Sequence, residues 1–191
     1  MADHDEILAA ARERMALCVD AESTNRNDAL NDLEFLAGKQ WPDDAVTQRH
    51  TEGRPCITIN KLPSFLRQVT NDQRQNTPSI KVHPVDSGAD IETAQVLQGM
   101  IRHIEYESNA DVAYDTAVNS AAACGIGYFR LITEYESEDS FEQVIRFRRE
   151  RNPLNVYIDP YCREPDGSDM RFAFITDTMS KEEFKRQYPK A

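Results

Sequence analysis

The chain has 191 residues, of which 40% are apolar and 29% are charged, proportions typical of one globular domain with or without a helical arm. Its net charge of −11 argues against a simple DNA-coating role, because an acidic surface repels phosphate wherever no local basic patch intervenes. No stretch approaches the ~18 apolar residues of a membrane span, and the acidic start is no secretion signal. We therefore expect a protein made and kept in a cytoplasm-like setting, without membrane contact.

The four cysteines, Cys18, Cys56, Cys124 and Cys162, are isolated in the sequence. None belongs to a CxxC motif or a Cys/His pair, and the four histidines are equally scattered, so the spacing of a zinc or redox site is missing. The sequence predicts reduced thiols, no metal and no cofactor.

The first predicted element is an N-terminal helical arm over residues 1–36. Apolar residues recur at steps of three and four over 7–18 and again over 30–36, and a polar interruption is expected between them at 22–27. Gly38 is expected to end the second helical stretch, because glycine adopts a positive φ at little steric cost.

A loop and a helix are predicted next. Residues 39–60 are expected to be irregular, because Trp41 and Arg54 each precede a proline and are pushed toward extended geometry. Asn60 is expected to cap a helix that runs to about Gln75, with a proline tolerated in the first turn. The predicted buried side of this helix consists of Leu62, Phe65, Leu66 and Val69.

The predicted helical part, residues 37–124 as a whole, contains one short strand and two further helices. The strand is expected over 79–85, where apolar residues alternate. Ser87 and Asp90 resemble a capping box before the next helix, whose predicted buried residues are Ala94, Leu97, Ile101 and Ile104. The second helix follows residues 108–109.

Residues 125–191 are expected to form a β portion with a short C-terminal helix, which makes the fold α+β with a small, mostly antiparallel sheet. Gly125 and Gly127 lie between a helix and a strand, the reverse of a phosphate loop, in which a strand leads into a helix N-terminus. They therefore predict a tight turn. The predicted strands are 128–136 and 141–149, which form a hairpin, then 156–158 and 172–176, with a helix after Ser180.

The predicted hairpin has the most unusual charge pattern in the chain. One arm and its turn are acidic, whereas the other arm carries the basic residues Arg146, Arg148, Arg149 and Arg151. Pairing of Glu134 and Glu136 with Arg146 and Arg148 across the strands is the simplest interpretation, at roughly 0.2–1 kcal/mol for each pair. There are two alternatives: the charged side chains of the hairpin contact an identical subunit, or they contact DNA phosphates.

Other polar groups give weaker signals. Arg67 and Arg74 are expected to lie two turns apart on one helix face. They form either an ordinary solvated face or a weak DNA-binding surface. Asp159 has three further aspartates nearby, but their offsets fail the pattern of a calcium loop, and turn chemistry explains them. No Ser/His/Asp or Cys/His set and no carboxylate pair stands out, so we predict that the chain is not an enzyme.

Two segments carry a resemblance to a known family. Residues 35–41, Phe-Leu-Ala-Gly-Lys-Gln-Trp, and 54–60, Arg-Pro-Cys-Ile-Thr-Ile-Asn, resemble the opening of the portal (head-to-tail connector) proteins of short-tailed bacteriophages. Later features match in order over most of residues 28–191. The residues that carry the family pattern are Gly38, Trp41, Arg54, Pro55, Asn60, Gly125, Gly127, Asp159 and Pro160.

The resemblance implies a structural ring, usually of twelve subunits, at the unique vertex of the virion capsid, made in the host cytoplasm. DNA passes through its channel during packaging and ejection without sequence-specific binding, and terminase, scaffold, capsid and tail proteins are the partners. The family's chains are considerably longer, so these residues would correspond to the N-terminal part and its outer wing. The alternative function is a DNA-binding adaptor or regulator that uses the Arg67 and Arg74 helix.

Overall fold

The α+β fold predicted from the sequence is confirmed: a long N-terminal helix and a helix group precede two small antiparallel sheets. The computed structural model describes residues 4–76, 79–85, 90–164 and 167–189. The chain divides into two compact units: the first comprises Met1–Asn27 and Leu154–Ala191, and the second comprises Asp28–Pro153. The three-part division at residues 36 and 124 stays a prediction.

Helix α1, His4–Ala37, is continuous, so the predicted interruption at residues 22–27 is wrong. The polar residues there support the helix, because Arg26 pairs with Glu22 one turn earlier at 2.7 Å and such i,i+4 pairs stabilise helices. The helix ends at Gly38, whose φ of 114° lies in the region that glycine adopts most readily, as predicted.

The loop predicted over residues 39–60 contains a second helix, α2, Asp43–Thr51. Pro42 stands immediately before its first turn, where the missing N–H is not needed. The negative charges of Asp43 and Asp44 stabilise the helix because they lie at the positive end of its dipole. The loop prediction is therefore wrong over α2, whereas residues 54–60 run without a helix, turn or bend.

Helix α3, Leu62–Gln75, begins close to the predicted cap. Asn60 Oδ1 accepts a hydrogen bond from the Leu62 N–H at 3.2 Å, although Lys61 occupies the N-cap position itself. The predicted buried side is only partly correct, because the side chains of Phe65 and Val69 are 63% and 55% exposed. The buried residue of this helix is Thr70.

Helices α4, Ile91–Glu107, and α5, Ala110–Cys124, complete the helix group. Asp90 caps α4 by accepting a hydrogen bond from the Glu92 N–H at 2.9 Å, whereas Ser87 lies outside the described residues. Ala94 is buried, as predicted, but Leu97 is 46% exposed. Residues 79–85 are described and form no strand, so that prediction is wrong.

The predicted hairpin is confirmed as strands β1, Phe129–Tyr135, and β2, Gln143–Arg149, with Leu131 opposite Phe147. Gly125, with a φ of 83°, makes the predicted turn from α5 into β1. Tyr114 of α5 packs edge-on against the Phe129 and Phe147 rings, with centroid distances of 5.1 and 5.5 Å. These contacts attach the hairpin to the helix group within the second unit.

The first unit contains the second sheet, formed by β3, Val156–Ile158, and β4, Ala173–Ile175, in antiparallel pairing. Helix α6, Lys181–Gln187, follows, and the Ser180 side chain accepts a hydrogen bond from the Glu183 N–H, as the sequence predicts. Across the described residues, no helix is both long and apolar enough to cross a membrane.

Candidate subunit interface

The Glu134 side chain contacts two arginines of the neighbouring strand, on the same face of the hairpin. Its carboxylate is 2.6 Å from Arg148 and 3.6 Å from Arg146, and Arg146 also reaches Glu107 of α4 at 3.5 Å. Cross-strand pairing within one chain is therefore real for Glu134. It is absent for Glu136, which pairs with no basic side chain in the described part of the chain.

The remaining hairpin charges are separated by sign. We name the residues around the turn the acidic tip: Glu136, Glu138, Asp139 and Glu142. We name Arg149, the last residue of β2, and Arg151, which follows the strand, the basic base. Among described residues, no group of either set has an oppositely charged partner within 4 Å. These unpaired charges are the ones available to another molecule.

The family-pattern residues hold two segments together in the second unit. The Trp41 indole N–H donates to the Ile57 carbonyl at 3.4 Å, and the Asn60 side-chain amide donates to the Leu36 carbonyl at 2.7 Å. Arg49 lies over the Trp41 ring, 4.9 Å from its centroid, and donates to the Pro55 carbonyl at 3.1 Å. These roles are structural, and Arg49 was not recognisable from the sequence because nothing local marks its partners.

The Arg67 and Arg74 pair forms a weaker basic patch than its spacing indicates. Arg74 Nε lies 2.7 Å from Asp115 Oδ2 of α5, so a carboxylate offsets part of its charge. Arg67 is exposed. The sequence could not reveal the Asp115 contact, because the two residues are 41 positions apart.

Asp159 is a buried anchor of the first unit, only 1% exposed. Its carboxylate accepts hydrogen bonds from Arg171 Nε at 2.8 Å and from the Tyr161 N–H at 3.0 Å. The hydrogen bond from Arg171 holds the pKa of Asp159 below its ordinary value, against the opposing effect of burial. Asp169 instead accepts from two backbone N–H groups.

The aspartates near Asp159 therefore satisfy local donors. Asp166 lies outside the described residues, and the described ranges contain no group of three or more side chains able to hold a metal ion. Pro160 follows Asp159 in a turn that is closed by the Cys162 N–H and the Asp159 carbonyl at 3.0 Å.

We expect the Asp159–Arg171 pair to make the first unit less stable as the pH falls into the acid range. Because the pKa of Asp159 is lower in the folded state, the pair stabilises the fold above the unfolded-state pKa of about 3.9, and this contribution is lost as pH falls through the folded-state pKa. Asp159→Asn should lower the Tm at pH 6, and the difference from wild type should shrink as pH falls below the unfolded-state pKa of about 3.9.

Thermal unfolding followed by circular dichroism between pH 2.5 and 7 checks this expectation. Glu182→Gln removes an exposed carboxylate of α6 and serves as the control, with little change in Tm at any pH. A Tm difference for Asp159→Asn that stays constant across the acid range would contradict the assigned role.

The sequence comparisons identify the family. Residues 12–191 match the phage P22-like portal protein family. The chain belongs to this family. It is also 30% identical over 163 residues to a protein named "Portal protein" from Acyrthosiphon pisum secondary endosymbiont phage 1, a match that covers 81% of this chain and 23% of the relative. The resemblance to bacteriophage portal proteins seen in the sequence is therefore confirmed.

P22-like portal proteins are a structural, non-enzymatic family. The chain spans less than a quarter of the length of the relative.

Proposed function

We propose that this chain is part of a structural subunit of the portal ring at the unique capsid vertex. DNA is packaged and ejected through the ring, and terminase, capsid and tail proteins dock on it. Membership of the phage P22-like portal family over residues 12–191 carries the proposal. A subunit of this kind belongs to the virion, and DNA passes through the channel of the ring without sequence-specific binding.

The exposed apolar surface supports a role in assembly. Several large apolar side chains of the second unit are more than half exposed, which is costly for a protein that acts alone. They include Ile57, Ile59, Phe65, Val96, Met100 and Phe141. Contact with neighbouring subunits would cover such side chains.

Mass measurement and DNA binding together test the proposed function. The protein in its full natural length should form a closed ring, of twelve copies if it follows the family, by native mass spectrometry and negative-stain electron microscopy. The residues of this chain should show essentially no affinity for duplex DNA. Persistent monomers that bind duplex DNA with a steep salt dependence would instead support the adaptor function of the Arg67 and Arg74 helix.

We further propose that Arg146 and Arg148 lie near the contact between subunits. Reversing both to glutamate in the full-length protein should weaken ring formation about 10-fold or more, because like charges repel across an interface. Glu134→Gln is the matched control: it removes the cross-strand pairs of Glu134 but keeps both arginines, and it should weaken assembly much less. Unchanged assembly of the reversed variant by native mass spectrometry contradicts this placement.

A further inference from the structure

Opposite charges occupy the two ends of one rigid element. The acidic tip contributes four carboxylates and the basic base two guanidinium groups, all exposed. The seven residues of β1, at ~3.4 Å per residue, separate the two ends by roughly 20 Å. The tip and the base therefore cannot neutralise each other within one hairpin.

The acidic tip also carries an apolar anchor. The Phe141 side chain is 95% exposed, and Tyr135 beside it is 59% exposed. Both line a shallow cavity with Ser137, Glu138 and Ser140. An aromatic ring flanked by carboxylates suits a partner surface that combines an apolar cleft with basic residues.

The opposite end of the hairpin provides such a cleft, which we name the base cleft. Its volume is about 320 Å³, and its lining includes Val112, Ala113 and Phe147 together with Arg148 and Arg149. The hydroxyl of Ser108, which also lines it, is buried and has no hydrogen-bond partner among described residues.

We propose that the acidic tip of one copy docks into the base cleft of the next copy, with the Phe141 ring between Phe147 and Val112. This inference rests on the proposed ring and names the surfaces that build it. The two patches differ from each other and lie at opposite ends of the hairpin, so the contact is head-to-tail, and repeated contacts of this type close a ring when the rotation allows. The chain carries both the acidic tip and the basic residues of the base cleft, so a second copy of the chain has the complementary charge to occupy the cleft.

Two charge-reversed variants of the full-length protein test the contact. The tip variant combines Glu136→Lys, Glu138→Lys and Asp139→Lys, which gives the tip a net positive charge, and the base variant combines Arg149→Glu with Arg151→Glu. Each alone should shift the concentration for half-assembly at least 10-fold upward, because each then presents like charges at both ends. An equimolar mixture should restore assembly, because in an alternating ring the reversed tip of one variant meets the reversed base of the other, and the normal tip meets the normal base.

Native mass spectrometry measures the outcome, and the two masses reveal whether the copies alternate. Asp28→Lys with Asp32→Lys and Asp44→Lys changes the net charge as much as the tip variant does, on exposed acidic residues outside the hairpin, and should assemble as wild type. Phe141→Ser should also raise the half-assembly concentration. Since Phe141 is almost fully exposed, this variant should keep its fold. It therefore tests the docking contact even if a charge-reversed variant does not fold.

The outcomes separate the two proposals. If the wild-type protein forms no ring, the proposed function fails. If wild type forms rings while both reversed variants and Phe141→Ser assemble equally well, or if the mixture assembles no better than its components, the docking of the tip into the base cleft is overturned and the portal function stands.

Discussion

Replacing Arg26 by alanine is expected to lower the local stability of the first unit by about 3 kcal/mol. The Arg26 guanidinium donates to the carbonyls of Leu154 and Val156, pairs with Glu22 and lies 3.6 Å from the centroid of the Tyr157 ring. Its side chain is only 13% exposed. Truncation therefore removes one donor from each of two carbonyls and the cation beside a carboxylate, in a partly buried site.

Hydrogen exchange of the backbone amides at residues 154–158 measures this effect. A loss of about 3 kcal/mol corresponds to a loss of protection of roughly 100-fold, since 1.4 kcal/mol is a factor of 10. Arg26→Lys should recover part of the protection, because an ammonium group keeps the charge but not the planar fork that reaches several acceptors. Arg12→Ala, on the exposed surface of α1, is the control. Equal protection in Arg26→Ala and Arg12→Ala would contradict the prediction.

Replacing Gly127 by alanine is expected to destabilise the second unit by about 3 kcal/mol or more. A Cβ atom at this position would lie 1.9 Å from the carbonyl oxygen of Ala117 and 2.8 Å from its carbonyl carbon. Both atoms belong to the backbone of α5, which cannot move aside as a flexible side chain can. The turn into β1 must therefore separate from the helix.

Urea unfolding followed by the fluorescence of Trp41, the single tryptophan, reports on this unit. Two other glycines serve as controls, because an added Cβ would meet nothing within 4 Å at either. Gly125→Ala should cost only about 1–2 kcal/mol for its positive φ, and Gly99→Ala, inside α4, should stabilise by up to about 1 kcal/mol. A cost for Gly127→Ala no greater than that for Gly125→Ala falsifies the argument from close approach.

The sequence was most informative where a single residue limits the backbone. Gly38 and Gly125 ended helices as predicted, because few other residues adopt positive φ easily. Ser180 marked the start of α6 through its own side chain. The hairpin followed from alternating residues on either side of a polar turn, and that pattern does not depend on distant contacts.

The predictions that were wrong had been made from local sequence alone, without the contacts that distant residues make in the fold. The polar residues at 22–27 looked like a break, yet Arg26 has its partners near residues 154–156, and their contacts favour a continuous helix. Residues 79–85 have the alternation of a strand but no partner strand in the described part of the chain, and alternation alone does not supply one. Phe65 and Val69 have the period of a buried face, but periodicity does not reveal how much of that face another element covers.

The sequence by itself determined the fold class, the main helix ends, the hairpin and the family, because these depend on local backbone preferences and on residues in a fixed order. Only the tertiary structure decided which charges are neutralised. Glu134 offsets Arg146 and Arg148, and Asp115 offsets Arg74, whereas the acidic tip and the basic base keep their charge. The physical reason is distance. An ion pair forms only when the charged atoms of two side chains are within a few ångströms of each other. Residues that are 14 or 41 positions apart in sequence come that close only after folding.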